Sequence, residues 1–426
     1  MRRYSAAVHG AGVELYDLFS TGFFGRPDQP AATAAVWASL STALRGVGAM
    51  AAAAAAAPGR HLAPDVVVFV DDEGMAALAL SGASKANDLA LPGLPVAIGL
   101  AGAAVEYNLL SDLLRPRCAA ALLGKEEGGR RSGSLRGHAR VVVVWGCVCF
   151  GMAEQRARLE RSFSLDGCRL AVFSNAIVLT PALEAAVAAR VAGGNRTLVW
   201  VGATGLLATP ADPASASLGR VQAVTGFPLA AAGGARTPAA RLGNEGAPGA
   251  GMPGPPVWGP SASGQVFGDA GVDVDPRLHV PEPLAPGVAA LGRYADAAGE
   301  VAVAWRDAGT HRSLFVGSAG LPAAAWRDVA AAAGCHFYLP EEPAGDAVDV
   351  GGRALAIHIG MGRGDAKEPR PRTVLLPAGV RWGQAENAET GEVVCEAPCT
   401  SFSTQPLAPG DVALFVVRSE SIFNLI

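Results

Sequence analysis

The sequence predicts an α/β fold, an open parallel sheet with helices on both faces, followed by a small antiparallel β domain. Three observations carry this. Short, continuous, valine-rich runs recur along the chain. Helical patterns bounded by proline and glycine lie between them. After about residue 345 the runs shorten and turn residues punctuate them closely. Continuous rather than alternating apolar runs suit parallel strands buried on both faces. Strand, helix, strand is the pattern of a crossover unit.

The runs Val66–Val70, Arg169–Phe173, Thr197–Val201, Val301–Trp305 and Ser313–Val316 are the expected strands of that sheet. Pro181 opens a helix over 182–191 that Gly193 and Gly194 end. Pro322 opens another over 323–333 that Gly334 ends, since proline fits a first turn and glycine the left-handed position after a last one. Further on, Arg353–Ile359 reads as an alternating strand, with others at Thr373–Leu376 and Val412–Val417, between turn signals such as Gly351-Gly352 and Pro409-Gly410. Two stretches fit neither part. Gly233–Gly264 is dense in glycine, proline and alanine, with little to bury. Arg117–Gly167 holds nine Lys/Arg against five Asp/Glu and reads as a solvated insertion.

Composition excludes several classes. The net charge of the 426-residue chain is −4 and half its residues are hydrophobic, so it reads neither as a basic nucleic-acid binder nor as a disordered chain. The 54 glycines have no three-residue period, which excludes a collagen-like array. No run reaches the roughly 18 apolar residues of a membrane helix. The start, Met1-Arg2-Arg3-Tyr4, lacks a hydrophobic signal core, which favours the cytoplasm over secretion. Lysine occurs only at Lys85, Lys125 and Lys367, so 31 of the 34 cations are arginine, a coding bias rather than a mechanism. Seven scattered cysteines, among them Cys147 with Cys149 and Cys395 with Cys399, lack zinc-ligand spacing and read as reduced thiols.

The order of motifs adds a family. Tyr16-Asp17-Leu18-Phe19 and Gly22-Phe23-Phe24 come first, then Trp37, Pro64-Asp65-Val66 through Asp71-Asp72-Glu73, and Leu109-Leu110-Ser111-Asp112-Leu113-Leu114. After them stand Arg169 through Ala176, Thr197–Val201 closed by Gly205, Val316-Gly317, Leu321-Pro322, Arg327, Gly334 through Tyr338, and Leu355-Ala356-Ile357-His358. Over most of 13–116 and 168–417 this series resembles the part of β-galactosidase-like family 42 glycoside hydrolases that follows their catalytic barrel. The resemblance implies a flavodoxin-like domain, similar to class I glutamine amidotransferases and called the trimerisation domain, then a small β-sandwich. It assigns 1–60 to a remnant of the barrel end with an alanine-rich helix. Residues 61–345 become the flavodoxin-like α/β domain, with insertions at 117–167 and 233–264, and 346–426 the C-terminal β domain. It further implies a carbohydrate partner and a homotrimer.

The same resemblance bounds the chemistry. Family members hydrolyse glycosides with two glutamates presented from a barrel, and a barrel takes about 250 residues. Only 65 residues precede Val66, and Glu14 and Asp17 are the acids of the barrel-like stub up to Phe24. No catalytic glutamate pair maps onto this sequence, so the expectation is a non-hydrolytic assembly or carbohydrate-binding fragment that needs no cofactor and no metal. An amidotransferase cysteine is missing too, since the turn Val201-Gly202-Ala203-Thr204-Gly205 carries only a threonine. Two alternatives stand beside this reading: a pure oligomerisation module, and a hydrolase whose site is rebuilt at the strand ends. Ligands of open parallel sheets bind beyond the carboxyl ends of the strands, which singles out Asp71, Asp72, Asn175 and Thr204. Tyr16, Asp17, Phe23 and Phe24 are the candidates for a sugar platform. His336 and His358 read as hydrogen-bonded structural histidines.

Overall fold

The structure is a computed structural model that describes residues 45–46, 48–50, 52–53, 62–71, 74, 93–114, 165, 167–174, 176–209, 216–233, 237–243, 254–268, 277–296, 298–360, 368–380 and 382–419. In chain order the first part holds β1 (Val66–Val70), α1 (Gly93–Gly99), β2 (Val105–Leu109), β3 (Leu170–Ser174), α2 (Pro181–Ala186), β4 (Thr197–Val201) and α3 (Leu218–Thr225). Then come β5 (Ala230–Ala232), β6 (Ala240–Leu242), β7 (Val266–Phe267), β8 (Arg277–His279), β9 (Val288–Tyr294), β10 (Val301–Asp307), β11 (Arg312–Val316) and α4 (Ala323–Ala333). The last part holds β12 (Ala347–Gly351), β13 (Ala354–His358), β14 (Thr373–Leu375), β15 (Trp382–Asn387), β16 (Val393–Cys395), β17 (Ser401–Ser403) and β18 (Val412–Ser419).

A nine-stranded sheet runs in the order β2-β1-β3-β4-β11-β10-β9-β6-β7. Its first five strands are parallel and the rest join antiparallel. The inner parallel strands β1, β3, β4 and β11 form because their side chains are buried on both faces. Phe69, Phe173, Trp200 and Phe315 stand in register across four of them. The ring centroids of Phe69 and Phe173 are 5.2 Å apart, and those of Phe173 and Trp200 4.4 Å. This aromatic row belongs to the core covered by Leu183 of α2, Val187 and Val191 just after it, and Val221 of α3. The opposite face, with Val68, Val172, Val199 and Leu314, lies under α1 and α4.

Two helix boundaries fall where the sequence signals put them. Thr180 Oγ1 accepts the Leu183 N–H at the start of α2, and Gly334 takes the left-handed conformation (φ 78°) after α4. A side chain there would cost about 1 kcal/mol. The helix expected over 182–191 is α only to Ala186; Val187–Val191 continues as a π turn.

Three further readings are corrected. Val301–Trp305 is apolar like its parallel companions, yet β10 runs antiparallel to both β9 and β11. Burial on two faces produces the same run in either orientation. The stretch Gly233–Gly264 buries Ala240, Leu242, Trp258 and Ala262 in the sheet core, with Trp258 Nε1 donating to the Leu291 carbonyl at 2.7 Å. Its composition hid one bulky anchor. Arg353–Ile359 does not alternate between buried and exposed; β13 is buried throughout. One face meets the inner core, and on the other Met50 packs on Ala354, Ala356 and Leu414.

The second sheet has the order β12-β13-β18-β15-β16, all antiparallel. A ribbon of β14 and β17 shares its core through Val374 and Phe402. Cys395 and Cys399, read as reduced thiols, form a disulfide here. Cys168 and Cys335 are free and buried. The basic stretch 117–164, with Cys118, Cys147 and Cys149, lies outside the described residues.

Candidate functional site

In the parallel half of the large sheet the strand order reverses between β1 and β3, β2 lying beyond one and β4 beyond the other. Open sheets of this kind bind ligands in the crevice such a reversal leaves at the carboxyl ends. Asp71 follows β1 at that point and is buried. Its Oδ1 accepts the Gly74 N–H at 2.7 Å and its Oδ2 the Val178 N–H at 2.8 Å. The carboxylate therefore joins the loop after β1 to the loop after β3. The turn closes tightly enough that a Cβ on Gly74 would sit 2.1 Å from Asp71 Oδ2, so a side chain there would push the carboxylate out of place.

The loop after β4 is sewn to the same place. Gly205 N–H donates to the Ala176 carbonyl (2.8 Å), Leu207 N–H to Ile177 (3.0 Å), and Leu179 N–H returns to Leu207 (3.0 Å). Gly202 N–H reaches Val316 at the end of β11 (2.9 Å). Thr204 is fully buried, its Oγ1 donating to the Val201 carbonyl at 3.3 Å. The structure thus brings Asp71 and Thr204 to one bonded set of loops, each with its side chain engaged by backbone. Asp72, Asn175, Tyr16, Asp17, Phe23 and Phe24 lie outside the described residues.

Several charged groups elsewhere among the described residues are paired. Arg277, whose side chain is fully buried, donates to Asp296 (2.7 Å) and Glu300 (2.5 Å) and stacks over Tyr294 at 4.0 Å. Glu184 meets Arg220, Glu282 meets Arg293, Glu342 meets Arg370, and Glu386 meets Arg418. His358 Nε2 lies 3.4 Å from Asp349 Oδ2, and His336 bonds the Leu375 carbonyl through Nε2 at 3.0 Å. Among the described residues no group of three or more His, Cys, Asp or Glu is placed to hold a metal, and no helix is long and apolar enough to cross a membrane.

Sequence reasoning missed the strongest anchors. Asp65, at the amino end of β1, accepts the His336 N–H through Oδ2 at 2.6 Å. Arg327 donates to the Ala101, Leu339 and Pro340 carbonyls and lies 4.3 Å over the Phe337 ring. A charge beside an apolar run was the one signal for Asp65. Arg277 offered none, because its partners are 19 and 23 residues away.

No family profile and no curated protein matches the sequence. Solved structures do. A GH42 β-galactosidase from G. stearothermophilus matches with a TM-score of 0.50 at 12% identity, over 90% of this chain and 44% of that one. The β-galactosidase of Bacillus circulans sp. alkalophilus gives 0.48 at 14% identity, over 90% and 45%. That of the Antarctic haloarchaeon Halorubrum lacusprofundi gives 0.41 at 14%, over 87% and 42%. The chain spans less than half the length of each of these enzymes, and it shares the fold of the G. stearothermophilus enzyme over that part.

Proposed function

We propose that this chain does the non-catalytic work of a β-galactosidase-like protein of carbohydrate metabolism, in assembly or in holding carbohydrate, and does not itself hydrolyse glycosides. The observation that carries the reading is the shared fold over 90% of this chain and 44% of the GH42 enzyme. The parallel order 2-1-3-4-5, obtained by numbering β1, β2, β3, β4 and β11 in sequence, supports a flavodoxin-like domain. The ribbon of β14 and β17 facing the five-stranded sheet supports a β-sandwich after it.

Glycoside hydrolysis needs two carboxyl groups flanking the bond, one to protonate the leaving oxygen and one to support the opposite face. Asp71 is occupied by two backbone donors, and the paired acids above each face an arginine. In this reading Asp71 and Thr204 shape the crevice, while Tyr16, Asp17, Phe23 and Phe24 are the surface offered to a sugar ring.

The test is the purified 426-residue chain with an aryl-β-galactoside. No turnover above buffer is expected. Turnover that Glu14→Gln abolishes overturns the reading. Light scattering with galactose titration then separates the two roles: a trimer that ignores the sugar is an assembly module, and saturable binding makes it a carbohydrate holder.

A further inference from the structure

The chain leaves the five-stranded sheet at Cys395, the end of β16, and enters the ribbon at Ser401, the start of β17. The disulfide closes this crossing, with Cα atoms 5.7 Å apart and four residues of separation. Its two sides have unlike surroundings. Cys399 is buried and its N–H donates to the Trp382 carbonyl of β15 at 2.8 Å. Cys395 is only half-buried, at the rim, where its Sγ meets the Ser401 carbonyl at 3.4 Å.

The ribbon beyond the bridge touches the α/β layer directly. Leu376 N–H donates to Thr400 (2.9 Å), and Leu375 pairs with Ser401. From there Leu375 N–H donates to the Tyr338 carbonyl (2.8 Å), and the Leu375 carbonyl meets His336 Nε2. His336 N–H in turn reaches Asp65 at the start of β1. A continuous line of bonds leads from the bridge, through β14, to the first strand of the large sheet.

We propose that Cys395–Cys399 is a reducible clip that holds the ribbon against this junction and releases it on reduction. A thiolate of a dithiol reductant attacks the accessible Cys395 Sγ, forming a mixed disulfide and expelling Cys399 as thiolate. The second thiolate of the reductant then displaces Cys395. The bridge gains two electrons, the two protons of the reductant pass to the two cysteines, and the reductant leaves as its own disulfide. Accessible bridges are the ones open to such exchange. The other described thiols do not compete, because burial pushes Cys168 up to about 12 and Cys335 well above the ordinary thiol range.

The test is amide hydrogen exchange on the full chain, oxidised and in dithiothreitol, beside a Cys395→Ser/Cys399→Ser double variant. Exchange about tenfold faster is expected at 373–376, 399–403 and 336–339 in the reduced protein and in the variant, with β1, β3 and β4 unchanged. If the double variant fails to fold, the reduced wild-type chain gives the same reading alone. Alkylation of both cysteines in the unfolded, unreduced protein would overturn the proposal, as would unchanged exchange on reduction. Uniform acceleration through β1, β3 and β4 would overturn it as well, since the bridge would then be a general staple.

Discussion

Asp71 joins two loops with one carboxylate. Gly74 and Val178 point their N–H groups at its two oxygens in a buried setting, where a donor left without an acceptor costs about 1–3 kcal/mol. Asp71→Ala removes both acceptors together, so a loss of about 3 kcal/mol in urea unfolding is expected, with the m-value unchanged. Asp71→Asn keeps one acceptor oxygen and should lose about half as much. A near-neutral Asp71→Ala would mean that the carboxylate is free for a ligand, and the rebuilt-hydrolase alternative would regain its base. Thr204 makes the same point more weakly, because its hydroxyl donates to the Val201 carbonyl three residues back and ties no second loop. Glycine at 205 follows from geometry as well: φ is 78°, and a Cβ there would lie 3.2 Å from Val224 Cγ2 and 3.3 Å from Leu179 Cδ1.

Among the elements, β1, β3, β4 and β11 were legible because burial on both faces writes an uninterrupted apolar run. What that run cannot write is direction, hence the orientation of β10. The edge strand β2, Val-Glu-Tyr-Asn-Leu, mixes charge with apolar residues because it pairs on one side only and is half-buried. β6 and β7 are three and two residues long, too short for any period, and sit in glycine-rich surroundings. The rule of strand ends pointed to Asp71 as a position, whereas its engagement by the Val178 N–H depends on loops 107 residues apart, which no local pattern records. The β8–β9–β10 corner was illegible for the same reason, and it rests on one arginine. Arg277→Met leaves Asp296 and Glu300 facing each other without their cation. Full burial of both acids would make that loss about 3–5 kcal/mol. Since each is about a quarter exposed, about 2 kcal/mol is expected, read as a lower thermal midpoint. Arg277→Lys should recover part of it, because an ammonium cannot fork to two carboxylates. A midpoint unchanged in Arg277→Met would show that the corner stands on its apolar contacts instead.

Over the whole molecule, Asp65 links segments far apart in the chain. Its carbonyl accepts the Arg169 and Leu170 N–H groups at 2.9 and 3.0 Å, starting β3 beside β1. Its side chain holds His336, and through His336 the ribbon of the second sheet. Burial raises the Asp65 pKa above the ordinary carboxylate value, outweighing the His336 N–H and the Arg169 guanidinium that pull it down. An acid whose folded-state pKa exceeds its unfolded one binds more protons when folded. Its contribution to stability is therefore full below the unfolded value, about 4, and falls as the pH rises through the folded one. Asp65→Asn retains an oxygen for the His336 N–H but has no proton to lose. Urea unfolding at a series of pH values from about 4 upward should show wild type losing stability relative to Asp65→Asn as the pH climbs, and a constant difference once the folded-state value is passed. A wild-type chain that instead gains on the variant with rising pH would mean that the Arg169 and His336 contacts outweigh burial, and that the ionised carboxylate is the form the junction is built to hold.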